Sequence, residues 1–176
     1  DFALKKVSDM NSGRWADLGT GSGPLAVSLA KALPSWNGHA ADISKNALEL
    51  AERNLKFIAP NSNVSFSLGD WWEPLEKWWG SFDLVLSNPP YIPSDLIKEL
   101  EPVVKNHEPL IALDGGVDGM SASKKIILGA SNALARGGWL MIEHHYDQSD
   151  RIFNFMQNIG MVEISFEKDL SGIKRY

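Results

Sequence analysis

A strand that empties into a run of glycines and then into a helix is the most restrictive feature of this chain. Arg14-Trp15-Ala16-Asp17-Leu18 reads as a short strand and Gly19-Thr20-Gly21-Ser22-Gly23 as the loop. Pro24 suits the first helical turn, where its missing N–H costs nothing. Leu25, Leu29 and Leu33 recur at fourfold spacing, and Pro34 ends the helix. Three glycines in five residues let the backbone turn tightly and approach a ligand, which the helix N–H groups then face. The alternation continues. Asn37–Asp42 is a second strand, followed by a helix capped at Ser44 with Ala47, Leu48, Ala51, Leu55 and Ile58 on one face. Residues 64–68 alternate as a third strand, Phe82–Ser87 is a fourth, and residues 139–143 are a fifth. Helices fall at 121–135, with Ile126, Ile127, Ala130 and Leu134 inward, and at 147–158. Val162, Ile164 and Phe166 alternate as a sixth strand, and residues 173–176 begin a seventh. The predicted fold is α/β, a Rossmann-like, mostly parallel seven-stranded sheet with helices on both faces. A short amphipathic helix over residues 2–10 precedes it.

Carboxylates recur where these strands end. Asp17 stands just ahead of the glycine loop, where it would repel a phosphate and attract a cation. The dinucleotide pattern G-x-G-x-x-G needs a glycine at position 24, and Pro24 stands there. Asp42 lies 23 positions after Gly19, near the offset of about 20 at which an acid meets ribose hydroxyls. Asp70 and Trp71 follow the third strand and suit an adenine, the acid accepting from its amino group and the indole flanking the ring. Trp78 and Trp79 read as structural.

The fourth strand stops at Asn88-Pro89-Pro90-Tyr91. Each proline fixes φ near −65° and offers no N–H, so the backbone leaves the sheet in a stiff, extended exit. The Pro89 carbonyl and the Asn88 carboxamide are then two acceptors beside the flat face of Tyr91, which suits a planar –NH2 group. On these four residues alone, the tetrad also reads as a plain strand terminator.

Composition narrows the class. A chain of 176 residues, 44% hydrophobic and 22% charged, is one globular domain with room for a core. A net charge of −5 argues against a nucleic-acid phosphate track, and the absence of cysteine excludes disulfides and thiolate chemistry. No apolar run has membrane-spanning length and no signal peptide is visible, so a cytoplasmic location is expected. The start at Asp1 rather than methionine is expected of a piece of a longer protein. His39, His107, His144 and His145 show no ligand spacing, so no metal is predicted, and His144-His145 reads as a surface strand end. Gly21-Ser22-Gly23 fails the G-x-S-x-G pattern of serine hydrolases. The irregular stretch 101–110 and the turn-rich 114–119 read as functional or mobile.

Taken in order, Asp17 through Gly23, Asp42 with Ser44, Gly69-Asp70-Trp71 and Ser87 through Ile92 resemble class I S-adenosylmethionine-dependent methyltransferases. Glu108-Pro109-Leu110-Ile111-Ala112-Leu113 with Gly115-Gly116-x-Asp118-Gly119 is similar to the HemK/PrmC family within them. That family methylates the glutamine amide in the Gly-Gly-Gln motif of peptide-chain release factors. The resemblance implies that Gly19, Thr20, Gly21, Ser22, Gly23 and Asp42 bind the methionine and ribose parts of S-adenosylmethionine, with Trp71 against the adenine. It implies that Asn88, Pro89, Pro90 and Tyr91 hold the substrate amide, with a release factor as protein partner. Two departures stand out. The family's N-terminal helical docking domain is not expected within these residues, and Glu143-His144-His145 stands where the family tends to have Glu-x-Gly. Because the tetrad accepts any planar exocyclic amine, an amino methyltransferase of DNA or RNA is the competing reading. A cofactor-binding module without transfer is a third.

Overall fold

In the computed structural model, which describes residues 2–100 and 109–176, β1 (Arg14–Leu18), β2 (Asn37–Asp42), β3 (Asn63–Leu68), β4 (Phe82–Ser87) and β5 (Leu134–Ile142) form one sheet in the order β3-β2-β1-β4-β5. β1 pairs in parallel with β2 and with β4, and β2 pairs in parallel with β3. Parallel neighbours need crossovers, supplied here by α2 (Pro24–Ala32) and α3 (Lys45–Ile58), as the sequence pattern predicts. The chain divides into two compact units, Asp1–Asn88 with Gly129–Met141, and Pro89–Leu128 with Ile142–Tyr176.

In the first unit the fully buried Trp15 and Leu84 pack with Ala26, Val27, Leu29, Ala30, Trp36 and Leu55. The face expected of α3 is buried at Leu48, Ala51 and Leu55, whereas Ile58 in its last turn is exposed. The initial helix, α1, is shorter than its apolar spacing suggests and covers Phe2–Lys6.

Five strands replace the expected seven among the described residues. In the second unit Val162 is exposed and forms no ladder. The tail instead folds back on itself in a hairpin with one antiparallel bridge, Lys168 to Lys174. The Asp169 carboxylate accepts from the N–H groups of Ser171 and Ile173, both at 2.9 Å, and so turns the chain before a strand can extend. The helix expected at 121–135 spans Ser121–Ala133, and Leu134 already belongs to β5. The second predicted late helix spans Ser149–Asn158, with Ile152 and Met156 buried. Of the irregular stretch 101–110, residues 101–108 lie outside the described residues.

His39, in the middle of β2, is a buried polar side chain in the first unit. Its Nδ1 lies 2.7 Å from Ser65 Oγ, and its ring sits 4.0 Å from Trp78 and 5.6 Å from Phe82. Burial, helped by the charges of Arg14 and Lys77, pushes its pKa from 6.5 down to about 4. Trp78 is therefore structural, as read from sequence, while Trp79 is 39% exposed. Between pH 6.5 and 4 the unfolded chain binds the proton that the folded chain refuses, so acidification destabilises the fold. His39→Phe removes that proton uptake. Denaturant midpoints at pH 7.5 and pH 4 are expected to show the parent losing stability relative to this variant on acidification; an equal loss in both would contradict a buried neutral histidine.

Candidate active site

Parallel pairing brings the ends of four strands to one edge of the sheet. Leu18 pairs with Ala41 on one side and Ser87 on the other, and Asp42 pairs with Leu68. Gly19, Asp42, Gly69 and Asn88 therefore leave the sheet at its carboxyl edge, the end at which open α/β sheets bind ligands.

The glycine loop is held by two carboxylates. Asp17 Oδ2 accepts from Thr20 Oγ1 at 2.7 Å and from the N–H of Ala26 at 3.0 Å, tying the loop to the first turn of α2. Asp17 Oδ1 is buried and has no hydrogen-bond partner. Burial raises the carboxyl pKa from 3.8 to about 6; the two hydrogen bonds oppose that rise, and the negative charge of Asp42 adds to it. Asp42 Oδ2 accepts from the N–H of Gly21 and Oδ1 from the N–H of Ser44, both at 2.8 Å. Ser44 Oγ caps α3 by accepting from the N–H of Ala47 at 3.3 Å. Asp42 thus braces two turns, a role beyond the ribose contact read from its spacing. Asn54 of α3, which no pattern singled out, donates to the carbonyl of Ser22 at 2.9 Å.

The residues after β3 complete this edge. Trp71 adopts φ 47°, a left-handed conformation that is unusual for a bulky residue and costs about 1–3 kcal/mol. Its indole lies across Gly19, where an added Cβ would stand 2.9 Å from Trp71 Cζ3. Only a glycine at φ 70° leaves that ring its place. Asp70 opens the 3-10 helix Glu73–Trp78, its carbonyl accepting from the N–H of Glu73 at 3.0 Å. Asn88 is exposed one step beyond the Leu18–Ser87 pair, and Ser87 Oγ fixes that step by donating to the carbonyl of Leu18 at 2.7 Å.

Pro89, Pro90 and Tyr91 belong to the second unit. Pro89 is buried, and the Tyr91 carbonyl accepts from Gln148 Nε2 at 3.0 Å. Beyond it, the N–H of Ile92 donates to Leu113, that of Gly115 to Ile92, and that of Ser94 to Gly116, making a short parallel clip. Gly115 through Gly119, read from sequence as functional or mobile, is therefore part of the backing of the tetrad. Burial raises the Tyr91 phenol pKa, with the charge of Glu143 adding to it and Arg175 opposing. His145 lies with its ring 5.9 Å from that of Tyr91. His144 is buried rather than at the surface; its Nδ1 sits 2.8 Å from the carbonyl of His145, and its N–H donates to the carbonyl of Arg175.

The donor set fits a cationic ligand better than an anionic one. Two mutually repelling carboxylates serve the glycine loop, and one buried oxygen is unpartnered. Among the described residues no group of three or more His, Asp or Glu is placed to hold a metal, and no helix is long and apolar enough to cross a membrane.

The chain is 57% identical to a release factor glutamine methyltransferase of Prochlorococcus marinus over its whole length. Proteins of the same name from Coxiella burnetii and Thermosynechococcus vestitus are 41% and 39% identical over 99% and 93% of the chain. The chain spans 61%, 61% and 57% of the lengths of these three relatives, respectively. Among solved structures, a methyltransferase from Pyrococcus furiosus matches 98% of the chain and 77% of its own at TM-score 0.68 and 20% identity. The hMettl16 catalytic domain, solved in complex with a 3′UTR hairpin, matches 99% and 66% at TM-score 0.72 and 13% identity. These two likenesses concern the fold alone. The family described as "Methyltransferase small domain" matches residues 1–103, more than half of the chain, and the chain belongs to that family.

Proposed function

We propose that this chain transfers a methyl group from S-adenosylmethionine to the side-chain amide nitrogen of the glutamine in the Gly-Gly-Gln motif of a peptide-chain release factor. In this reading residues 1–176 act as the catalytic domain. The observation that carries it is the exposed Asn88, one register step from the glycine loop, together with relatives that bear that name.

Asp17, Gly19 through Gly23, Asp42, Asp70 and Trp71 would hold the cofactor, and the unpartnered Asp17 oxygen suits its ammonium. When bound, S-adenosylmethionine supplies a methyl group on a sulfonium. The chain's own task is to make a poor nucleophile attack. An amide nitrogen shares its lone pair with the carbonyl. Asn88 Oδ1 and the Pro89 carbonyl, accepting its two N–H bonds, raise electron density on nitrogen and stabilise the positive charge that develops there. The same two bonds orient the nitrogen, an effect worth about 7–11 kcal/mol when geometry is well set. Tyr91 packs on the amide plane and excludes water, and the surplus proton leaves to solvent after transfer.

A methyl-transfer assay on a release factor, with DNA and RNA as parallel substrates, tests this reading; incorporation into nucleic acid alone would overturn it. Asn88→Ala is expected to lower turnover by about 100-fold or more, with cofactor affinity by calorimetry nearly unchanged. Near-normal turnover would remove the clamp. Asp17→Asn tests the other half. The shift from 3.8 to about 6 means that keeping the buried charge costs the free protein on the order of 3 kcal/mol. That cost is absent below pH 3.8 and complete above pH 6. The variant is therefore expected to gain stability over the parent as pH rises through this window, while its affinity for S-adenosylmethionine falls. Unchanged affinity would show that Asp17 serves the loop alone.

A further inference from the structure

We propose that Gln148 is the positioning residue of Tyr91 and of the backbone leaving the tetrad, an assignment that rests on the amide-methylation reading for its catalytic consequence. Gln148 stands at the start of the Ser149–Asn158 helix, and its side chain is buried and fully used. Nε2 donates to the carbonyls of Tyr91 at 3.0 Å and Gly119 at 3.1 Å, and Oε1 accepts from the N–H of His145 at 3.1 Å. Two carbonyls need two donors and one N–H needs an acceptor. A carboxamide meets that demand without charge; a carboxylate has no donors, and a buried ammonium has no acceptor.

The backbone around it is arranged for this contact. Gly119 has φ 70°, and a Cβ there would stand 2.5 Å from both Gln148 Nε2 and the Tyr91 carbonyl oxygen. The residue facing the amide is thus a glycine because nothing larger leaves the hydrogen bonds in place. Gln148 is also anchored through its own main chain, its N–H donating to the carbonyl of His145 and its carbonyl accepting from the N–H of Ile152, both at 2.9 Å. Tyr91 therefore sits between two rigid neighbours, the prolines before it and the Ile92–Gly115 clip after it. The carbonyl between them is held by a side chain 57 residues away in sequence. The wall of the amide site is built before substrate arrives.

Gln148→Met keeps the length and volume of the side chain and removes all three bonds; Gln148→Glu keeps only the acceptor. Both are measured for kcat and KM on a Gly-Gly-Gln peptide, for S-adenosylmethionine affinity by calorimetry, and for amide hydrogen exchange. Exchange is expected to rise at the amides of Tyr91, Ile92, Ser94 and Asp95 and stay level in residues 17–23. A misplacement of about 1 Å lowers turnover by up to about 100-fold, so kcat is expected to fall between about 10- and 100-fold while cofactor affinity stays within about twofold. Unchanged exchange at Tyr91, Ile92, Ser94 and Asp95, or a kcat within about twofold of the parent, would overturn the assignment. So would kcat and cofactor affinity falling together. If exchange rises as expected but the parent protein methylates no glutamine peptide, the amide-methylation reading fails while the positioning role of Gln148 stands.

Discussion

The bond between the Asp17 carboxylate and the first turn of α2 is the constraint on which the ligand edge of the first unit depends. One oxygen takes the Thr20 hydroxyl and the Ala26 N–H and so sets the path of the glycine loop between them. Asp42 does the same from the next strand, joining the N–H of Gly21 to that of Ser44. A loop braced by carboxylates differs from a loop that cradles phosphates. The phosphate cradle offers N–H groups to an anion, whereas here two of those groups are taken by acids and the charge left over is negative. The same glycine-rich geometry therefore presents a different electrostatic surface, decided by two side chains rather than by the backbone.

Parallel pairing does the rest of the assembly in that unit. Because Leu18 aligns with both Ala41 and Ser87, the ends of β2 and β4 fall on either side of the glycine loop without any contact having to pull them there. Trp71 then closes over Gly19 in a conformation a tryptophan seldom adopts. Strain of this kind persists where the surroundings over-determine it, and here the surroundings are a glycine without a Cβ and a sheet edge already fixed by its ladder.

Much of this was legible in sequence because it is written in local patterns. β2 and β4 fall on the residues expected, since short β-prone runs ended by an acid or by Pro-Pro leave little freedom in where they stop. Asp17 and Asp42 stand out in the sequence from their place at strand ends, and both hold the glycine loop. What could not be read was anything that depends on distant partners. Gln148 looks like an ordinary polar residue near a helix start, and only the fold brings Tyr91 and Gly119 to it. His144, expected at the surface, is buried because the C-terminal hairpin returns to it through Arg175. The alternation of Val162, Ile164 and Phe166 suggested a strand, but period-two spacing reports a pattern and not a neighbour to pair with. The Asp169 turn instead pairs Lys168 with Lys174, further along the tail.

The tetrad joins two kinds of support in four residues. Asn88 is placed by a strand ladder, through Ser87 and its pairing with Leu18. Tyr91 is placed by a buried carboxamide and a glycine that makes room for it. Each proline in the tetrad has its own φ fixed near −65°. In the proposed amide clamp the acceptors are neutral, and each is worth only what its aim is worth. Charged groups tolerate misplacement, since their attraction falls off slowly with distance. Neutral acceptors do not, because a hydrogen bond weakens steeply away from its preferred angle. Under that proposal the bonds that hold Ser87 and the Tyr91 carbonyl answer this difference: the weaker the individual partner, the more firmly its own neighbours have to hold it.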